Sequence, residues 1–327
     1  MLNKSHLKNL LLCGLTAAFF SSCSQPGANQ VSSEDLLRAQ NIVGGTETSL
    51  SIQKQIGVVG ILISTEDDTG TCTGTLIDRQ IVLTAAHCIA EFGAPIQRIV
   101  VVFSSNIEKA TEKDLRLART GEGHHEFFSA ALSGKKGSWN DIALLKLSEA
   151  APADFKTAKL ADAEVMKFMK TNAMAVQAGF GRAEADNSAA DSSIGTLRMV
   201  SNIPLIKVED DGKEFLFKED EKGSCKGDSG GPAYFKVNGK LVQIGVNSRG
   251  VNPQNCLEVG VYTNIIPHLD WIKKTSEKLM ALSDDDLNPP KESPENPPPT
   301  DIVKPDVPIT PPAAPTEPPG DDKSGLI

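Results

Sequence analysis

The chain predicts an all-β fold closed by one C-terminal helix. Short runs rich in β-branched residues recur through the middle of the sequence, and Gly, Asn, Asp and Ser separate them. Helical spacing shows only once, after the last of these runs. Many short strands divided by turn residues point to a sandwich or barrel.

At the N-terminus, Lys4 and Lys8 precede an apolar run at 10–20 and the small-residue stretch Ser21-Ser22-Cys23. This is the layout of a secretory signal. The run is shorter than the roughly 20 apolar residues an ordinary membrane-spanning helix needs, so export is expected rather than a permanent anchor helix. Phe20-Ser21-Ser22-Cys23 resembles a bacterial lipoprotein box with an aromatic residue in the leucine position. Cys23 is therefore the expected lipidation site, and 1–23 the signal segment.

Strands are expected at 56–63, 81–83, 99–103, 141–147, 173–178, 197–205, 241–246 and 259–266. Between them, 108–128 reads as a polar connection containing His124-His125, and 183–195 as a run of Ala, Asp, Ser and Asn without apolar period. The segment 267–282 is the expected helix, with proline at its start and Leu269, Ile272, Leu279 and Met280 near one face. Beyond it, 283–327 holds 13 of the 20 prolines and almost no large apolar side chains. Such a stretch cannot bury a core and is expected to be a disordered tail with polyproline II character.

The net charge of -9 is carried mostly by that tail, whose ten acids and three lysines sum to -7. Residues 1–41 carry +1, which leaves -3 for 42–282. No basic patch argues for nucleic acid. His124-His125 has no Cys, Asp or Glu pattern to complete a ligand set, so no metal or other cofactor is expected.

Six cysteines are present. Cys13 would leave with the signal segment, and lipidation of Cys23 would leave Cys72, Cys88, Cys225 and Cys256 as an even set suited to an oxidising compartment. Arithmetic alone allows Cys72 to pair with Cys88 or with Cys225.

Four motifs carry chemistry. Gly227-Asp228-Ser229-Gly230-Gly231-Pro232 places a serine between glycines that leave its hydroxyl and neighbouring amides open. Thr84-Ala85-Ala86-His87-Cys88 supplies a histidine, Asn140-Asp141-Ile142-Ala143-Leu144-Leu145 an aspartate, and Ile42-Val43-Gly44-Gly45 lies upstream. Attack on a peptide carbonyl needs a nucleophile, a base titrating near neutrality and a carboxylate to orient that base. Ser229, His87 and Asp141 are those residue types. Together the four motifs make 42–282 resemble a chymotrypsin-family serine protease.

The resemblance implies two packed six-stranded antiparallel β-barrels with the C-terminal helix, and a secreted or envelope-anchored endopeptidase that works on polypeptides through an acyl-enzyme on Ser229. It implies an oxyanion hole from the amides of Gly227 and Ser229. It also implies disulfides Cys72–Cys88 and Cys225–Cys256, and a monomer whose membrane contact is limited to the lipid anchor. Residues 24–41 become an activation peptide; cleavage of Asn41-Ile42 by another protease frees an ammonium on Ile42 that pairs with Asp228. Asn41 is neither Lys nor Arg, so self-activation by a trypsin-like specificity is not expected. Gly223 stands where a trypsin-like enzyme has its specificity aspartate. With Ser248, Gly250 and Gly260 it implies an open, uncharged pocket for an apolar or aromatic residue before the scissile bond (P1), Glu258 being the nearby acid able to alter this. Arg249 replaces the usual aromatic residue of the next subsite, which implies a shift there toward acidic or polar groups. The alternative reading is a catalytically silent binding or adhesion module on the same fold.

Overall fold

The computed structural model describes residues 42–66, 68–90, 95–123, 140–185, 193–209, 212–252 and 255–282. Cys23, the signal and activation segments, His124-His125, part of 183–195 and the proline-rich tail lie outside the described residues.

The first barrel is built from β2 (Val58–Ser64), β3 (Thr69–Asp78), β4 (Ile81–Thr84), β5 (Arg98–Val102), β6 (Leu115–Gly123) and β7 (Ala143–Leu147). Its strands close in the order β2-β3-β4-β7-β6-β5. Before it come β1 (Thr46–Glu47) and a short helix α1 (Leu50–Ile56). Ser49 caps α1 by accepting from the Ile52 amide, and Gly57 ends it with φ 71°, a conformation that favours glycine.

The second barrel uses β8 (Met174–Gly179), β9 (Arg198–Val208), β10 (Glu214–Glu219), β11 (Pro232–Val237), β12 (Lys240–Gly250) and β13 (Glu258–Asn264). They run β9-β10-β13-β12-β11-β8, and the β8–β9 pairing closes the ring while β1 adds to β9 from outside. The two six-stranded barrels implied by the motifs are thus present.

Each barrel has its own core. Ile61, Leu76, Leu83, Phe103 and Leu145 belong to the first, and Val200, Phe215, Phe217, Ile244 and Tyr262 to the second. Ile56, Val58, Phe180, Met199 and Tyr234 form a third buried cluster contributed by both halves. The final helix α3 (Leu269–Ala281) packs Ile272 and Leu279 into the first core, although it follows the second barrel in sequence. Its buried stripe is Ile272, Thr275 and Leu279. Met280, expected on that face, is exposed.

Five strands, the two-residue β1 with β3, β6, β10 and β11, and the short helix α1 were not expected from the pattern. β3, Thr-Gly-Thr-Cys-Thr-Gly-Thr-Leu-Ile-Asp, lacks a large apolar residue until Leu76 and is held by a continuous ladder to β2. β6 lies inside the stretch read as a polar connection, paired on both sides by β5 and β7. β10 and β11 are short and flank polar turns. In β3 and β6 ladder bonds and barrel closure overrode weak local propensity, whereas β10 and β11 carry aromatic strand formers in runs too short to stand out.

Thr73 on β3 joins the two halves. Its amide donates to the carbonyl of Ser229 at 2.8 Å. Its hydroxyl donates to the carbonyl of Gly227 at 2.9 Å and accepts from the Phe180 amide at 3.0 Å. Its carbonyl accepts from Thr84 Oγ1 at 2.9 Å. All of this is fully buried. Thr73→Val keeps the shape but leaves the Gly227 carbonyl and the Phe180 amide without the hydroxyl, at about 1–3 kcal/mol each. Urea unfolding of the precursor is expected to show a loss of about 2–4 kcal/mol, and an unchanged midpoint would refute this clamp.

Candidate active site

The site lies where β4, the start of β7 and the turn before β11 converge. β4 ends at Thr84, and Ala85-Ala86 turn the chain into the four-residue helix α2 (His87–Ala90). Cys88 anchors that turn to β3 through the Cys72–Cys88 disulfide. The second disulfide, Cys225–Cys256, joins the serine loop to the segment before β13. Both implied pairings are therefore observed.

Asp141 sits just before β7 and is almost wholly buried. Its Oδ1 accepts from the His87 backbone amide at 3.0 Å, and its Oδ2 accepts from His87 Nδ1 at 2.8 Å and from Ser248 Oγ at 2.6 Å. Burial pushes its carboxyl up, but the charge on His87 and the hydrogen bonds of His87 and Ser248 outweigh this and hold it below the ordinary range. With Nδ1 donating, Nε2 is the nitrogen left to accept a proton. The Cys88 sulfur lies 3.8 Å from that Nε2 and 3.7 Å from the Ser229 carbonyl oxygen, which brings histidine and serine loops together.

The serine loop is held from both barrels. The amide of Gly230 donates to the Asn247 carbonyl, and the Asn247 amide returns to Gly231, each at 2.8 Å. The Asp228 amide donates to Cys225 and the Gly231 amide to Asp228. Gly230 has φ 81°, and a Cβ there would stand 2.1 Å from Thr84 Oγ1 and 2.4 Å from the Thr73 carbonyl, so no other residue fits.

Asp228 is buried on a glycine shelf. A Cβ on Gly179 would lie 2.1 Å from its Oδ1, and one on Gly181 2.5 Å from its Cγ. The amides of Gly181 and Cys225 donate to its two oxygens at 2.7 and 2.8 Å. Burial nonetheless pushes the carboxyl up to about 7, against these bonds and the field of Arg198. Ile42 is buried in the second core, and Val43 exchanges two backbone hydrogen bonds of 3.1 Å with Gly223.

Beside Ser229 lies a cavity of about 240 Å³ lined by Ser224, Cys225, Lys226, Asn247, Arg249, Gly250, Val251, Asn252, Asn255 and Cys256. The expected pocket residues divide. Gly250 lines it, and a Cβ there would meet only the Asn252 carbonyl, at 3.8 Å. The Ser248 hydroxyl instead turns to Asp141. Gly223 and Gly260 do not open the cavity, because the side chain of Glu219 fills the space both leave. A Cβ on Gly223 would stand 2.5 Å from Glu219 carbons, and one on Gly260 2.2 Å from its Oε1.

The structure alters the expected roles of Arg249 and Glu258 and adds Glu219, which the sequence reading missed. Arg249 is held by Glu214 in a two-pronged pair at 2.7 and 3.1 Å with both side chains largely buried, so its charge is matched and the expected pull on acidic groups is weakened. Glu258 has φ 102°, is exposed and accepts at 2.7 Å from Asn252, which lines the cavity where Glu258 does not. Glu219 lies in the charged stretch Lys218-Glu219-Asp220-Glu221-Lys222. The signal that finds it is strand alternation, since Phe215, Phe217 and Glu219 share the buried face of β10.

The comparisons with known proteins agree with this architecture. A trypsin-family profile matches residues 42–272. The phenoloxidase-activating enzyme of Bombyx mori is 26% identical over 282 residues, covering 74% of this chain and 62% of its own length. The trypsin of Simulium vittatum is 29% identical over 234 residues, covering 68% of this chain and 87% of its own. A solved HL collagenase superposes with a TM-score of 0.58 at 22% identity, over 72% of this chain and 99% of the collagenase, a likeness of fold. With 71% or so of its length inside that profile, the chain belongs to the trypsin family and is a serine-type endopeptidase.

Proposed function

We propose that Ser229 is the nucleophile, His87 the general base and Asp141 the group that orients it. The observation that carries this is the His87 Nδ1 to Asp141 Oδ2 bond of 2.8 Å, made to a buried carboxylate that also accepts from Ser248. It orients the ring so that Nε2 is the atom that takes the Ser229 hydroxyl proton as Oγ attacks the scissile carbonyl. The amides of Gly227 and Ser229 receive the oxyanion; neither is spent in the bonds that fix Asp228, Gly230 and Gly231. Collapse of the intermediate passes the proton from His87 to the leaving amine and leaves an acyl-enzyme. Water then repeats the sequence and frees the acid.

The protein is made as a zymogen, with 1–23 a signal segment, 24–41 an activation peptide and 283–327 a tail outside the catalytic unit. Asp228 motivates the switch, because a carboxyl that burial raises to about 7 gains from a cation beside it. A cut at Asn41-Ile42 by another protease supplies that cation as the Ile42 ammonium, next to the Val43–Gly223 bridge. Pairing would order Gly227 and Ser229 together with the pocket. Two disulfides support maturation in an oxidising compartment. With Cys23 lipidated, activation would also release the monomeric enzyme from its anchor. At neutral pH the P1 residue is apolar or aromatic: Gly223 brings no charge, and the carboxyl of Glu219, raised by burial to about 8, is uncharged there.

Two measurements test this reading. After a cut at Asn41-Ile42, a fluorophosphonate probe is expected to label the enzyme at Ser229, and S229A to lower kcat by about 10⁶; a labelled S229A or an unlabelled cut enzyme would count against it. Asp228→Asn keeps an oxygen for one amide but not the charge. It is expected to lower kcat/KM of the cut enzyme by roughly 10²–10³, the effect of losing one oxyanion donor, and full activity would remove Asp228 from the switch.

A further inference from the structure

Glu219 is a buried acid beside the cavity whose ionised form the steps above do not use. It ends β10 opposite Glu258 of β13, yet its side chain points inward, about 1% exposed. Its Oε1 accepts from Gln177 Nε2 at 2.7 Å, and its Oε2 accepts from the Ser224 amide and the Ser224 hydroxyl, each at 3.1 Å. Ser224 itself lines the cavity beside Ser229. A single hydroxyl therefore separates a buried carboxyl from the space for the P1 side chain, and two glycines leave room for it there.

We propose that Glu219 is a specificity-determining residue, the acid at the base of the P1 pocket, which recruits a cationic P1 side chain through the Ser224 hydroxyl when ionised. The inference rests on reading this cavity as the P1 pocket. Ser224 donates its one proton to Glu219 and keeps lone pairs that can accept from a guanidinium or ammonium. The chain cation, hydroxyl, carboxylate is then polarised in one direction, and such chains strengthen in a low-dielectric site.

The groups packed around Glu219 explain why this charge is conditional. Gln177 on β8 and Ser224 in the serine loop are neutral donors. Asp228 in that loop disfavours a negative charge on Glu219, and Tyr262 on β13 is a buried phenol that burial and Glu219 itself hold well above its ordinary range. Burial, the largest effect, and Asp228 together push the carboxyl up to about 8, against the Gln177 and Ser224 hydrogen bonds. Nearer the mouth, Lys226 is exposed and cationic, and Arg249 is matched by Glu214. The sign follows: the Glu219 carboxyl is neutral below about pH 8 and negative above it. A bound P1 cation favours the ionised form, so preference for it grows with rising pH.

The test compares matched peptides with P1 Arg and P1 Phe on the cut enzyme, from about pH 6 to about pH 9. The ratio of their kcat/KM values cancels the titration of His87 and of the Ile42 ammonium, which both substrates share. The Arg/Phe ratio is expected to rise about tenfold, one pKa unit of differential interaction, and to stay flat in Glu219→Gln. Benzamidine, an aromatic cation, is expected to inhibit the wild-type enzyme more tightly as pH rises, a readout that needs no variant. A flat ratio with pH-independent benzamidine inhibition in enzyme that labels with fluorophosphonate overturns the proposal alone, as does a rise that persists in E219Q. Cut enzyme that fails to label at any pH overturns the Ser229 reading, and this inference with it.

Discussion

The arrangement depends on Thr73 lying between two barrels with separate cores. A β-barrel satisfies its own ladder and has no intrinsic reason to hold a second one in register. Thr73 supplies that register through its amide and hydroxyl, while Thr84 holds its carbonyl within the first barrel. Because its partners are the carbonyls of Gly227 and Ser229, the barrel carrying His87 and Asp141 is pinned to the loop carrying the serine. The close contact of Gly230 with Thr84 and Thr73 makes the same junction intolerant of any side chain. Helix α3 reinforces it by following the second barrel in sequence and packing on the first.

Within this frame three buried carboxyls meet different fates, set by what stands against each. Asp141 has an imidazole and a hydroxyl and is held ionised. Asp228 has two backbone amides on a glycine shelf and sits near 7, where a single new cation would decide its state. Glu219 has only neutral donors and a like-charged neighbour, and sits higher still. Burial favours the neutral form of all three, and the partners decide how much of that is recovered. A carboxylate held charged beside an imidazole, a carboxyl poised near neutrality and one raised above it are therefore made from one functional group.

How much was legible beforehand follows the range of the interactions involved. The His87, Asp141 and Ser229 motifs could be read because each places its residue in a short, recognisable local setting. The apolar strands could be read because burial on one face leaves a period of two. β3 and β6 could not, since threonine, glycine and charged residues form strands there only through neighbours far away in sequence. Gly223 and Gly260 were read as open space for a substrate, whereas the space belongs to Glu219. That error is physical: a missing side chain shows where room exists, not which residue takes it.

The sequence by itself determined the all-β class, the late helix, the chemistry-bearing residue types and the four cysteines near the site. These depend on local patterning and on side-chain chemistry, which a linear chain carries explicitly. Only the tertiary structure decided that Ser248 serves Asp141 rather than the pocket, that Glu214 matches the charge of Arg249, and that Glu219 lies beneath Ser224. Those relations join residues 5 to 107 positions apart. They exist because barrel closure turns alternate side chains inward to meet partners that no local pattern specifies.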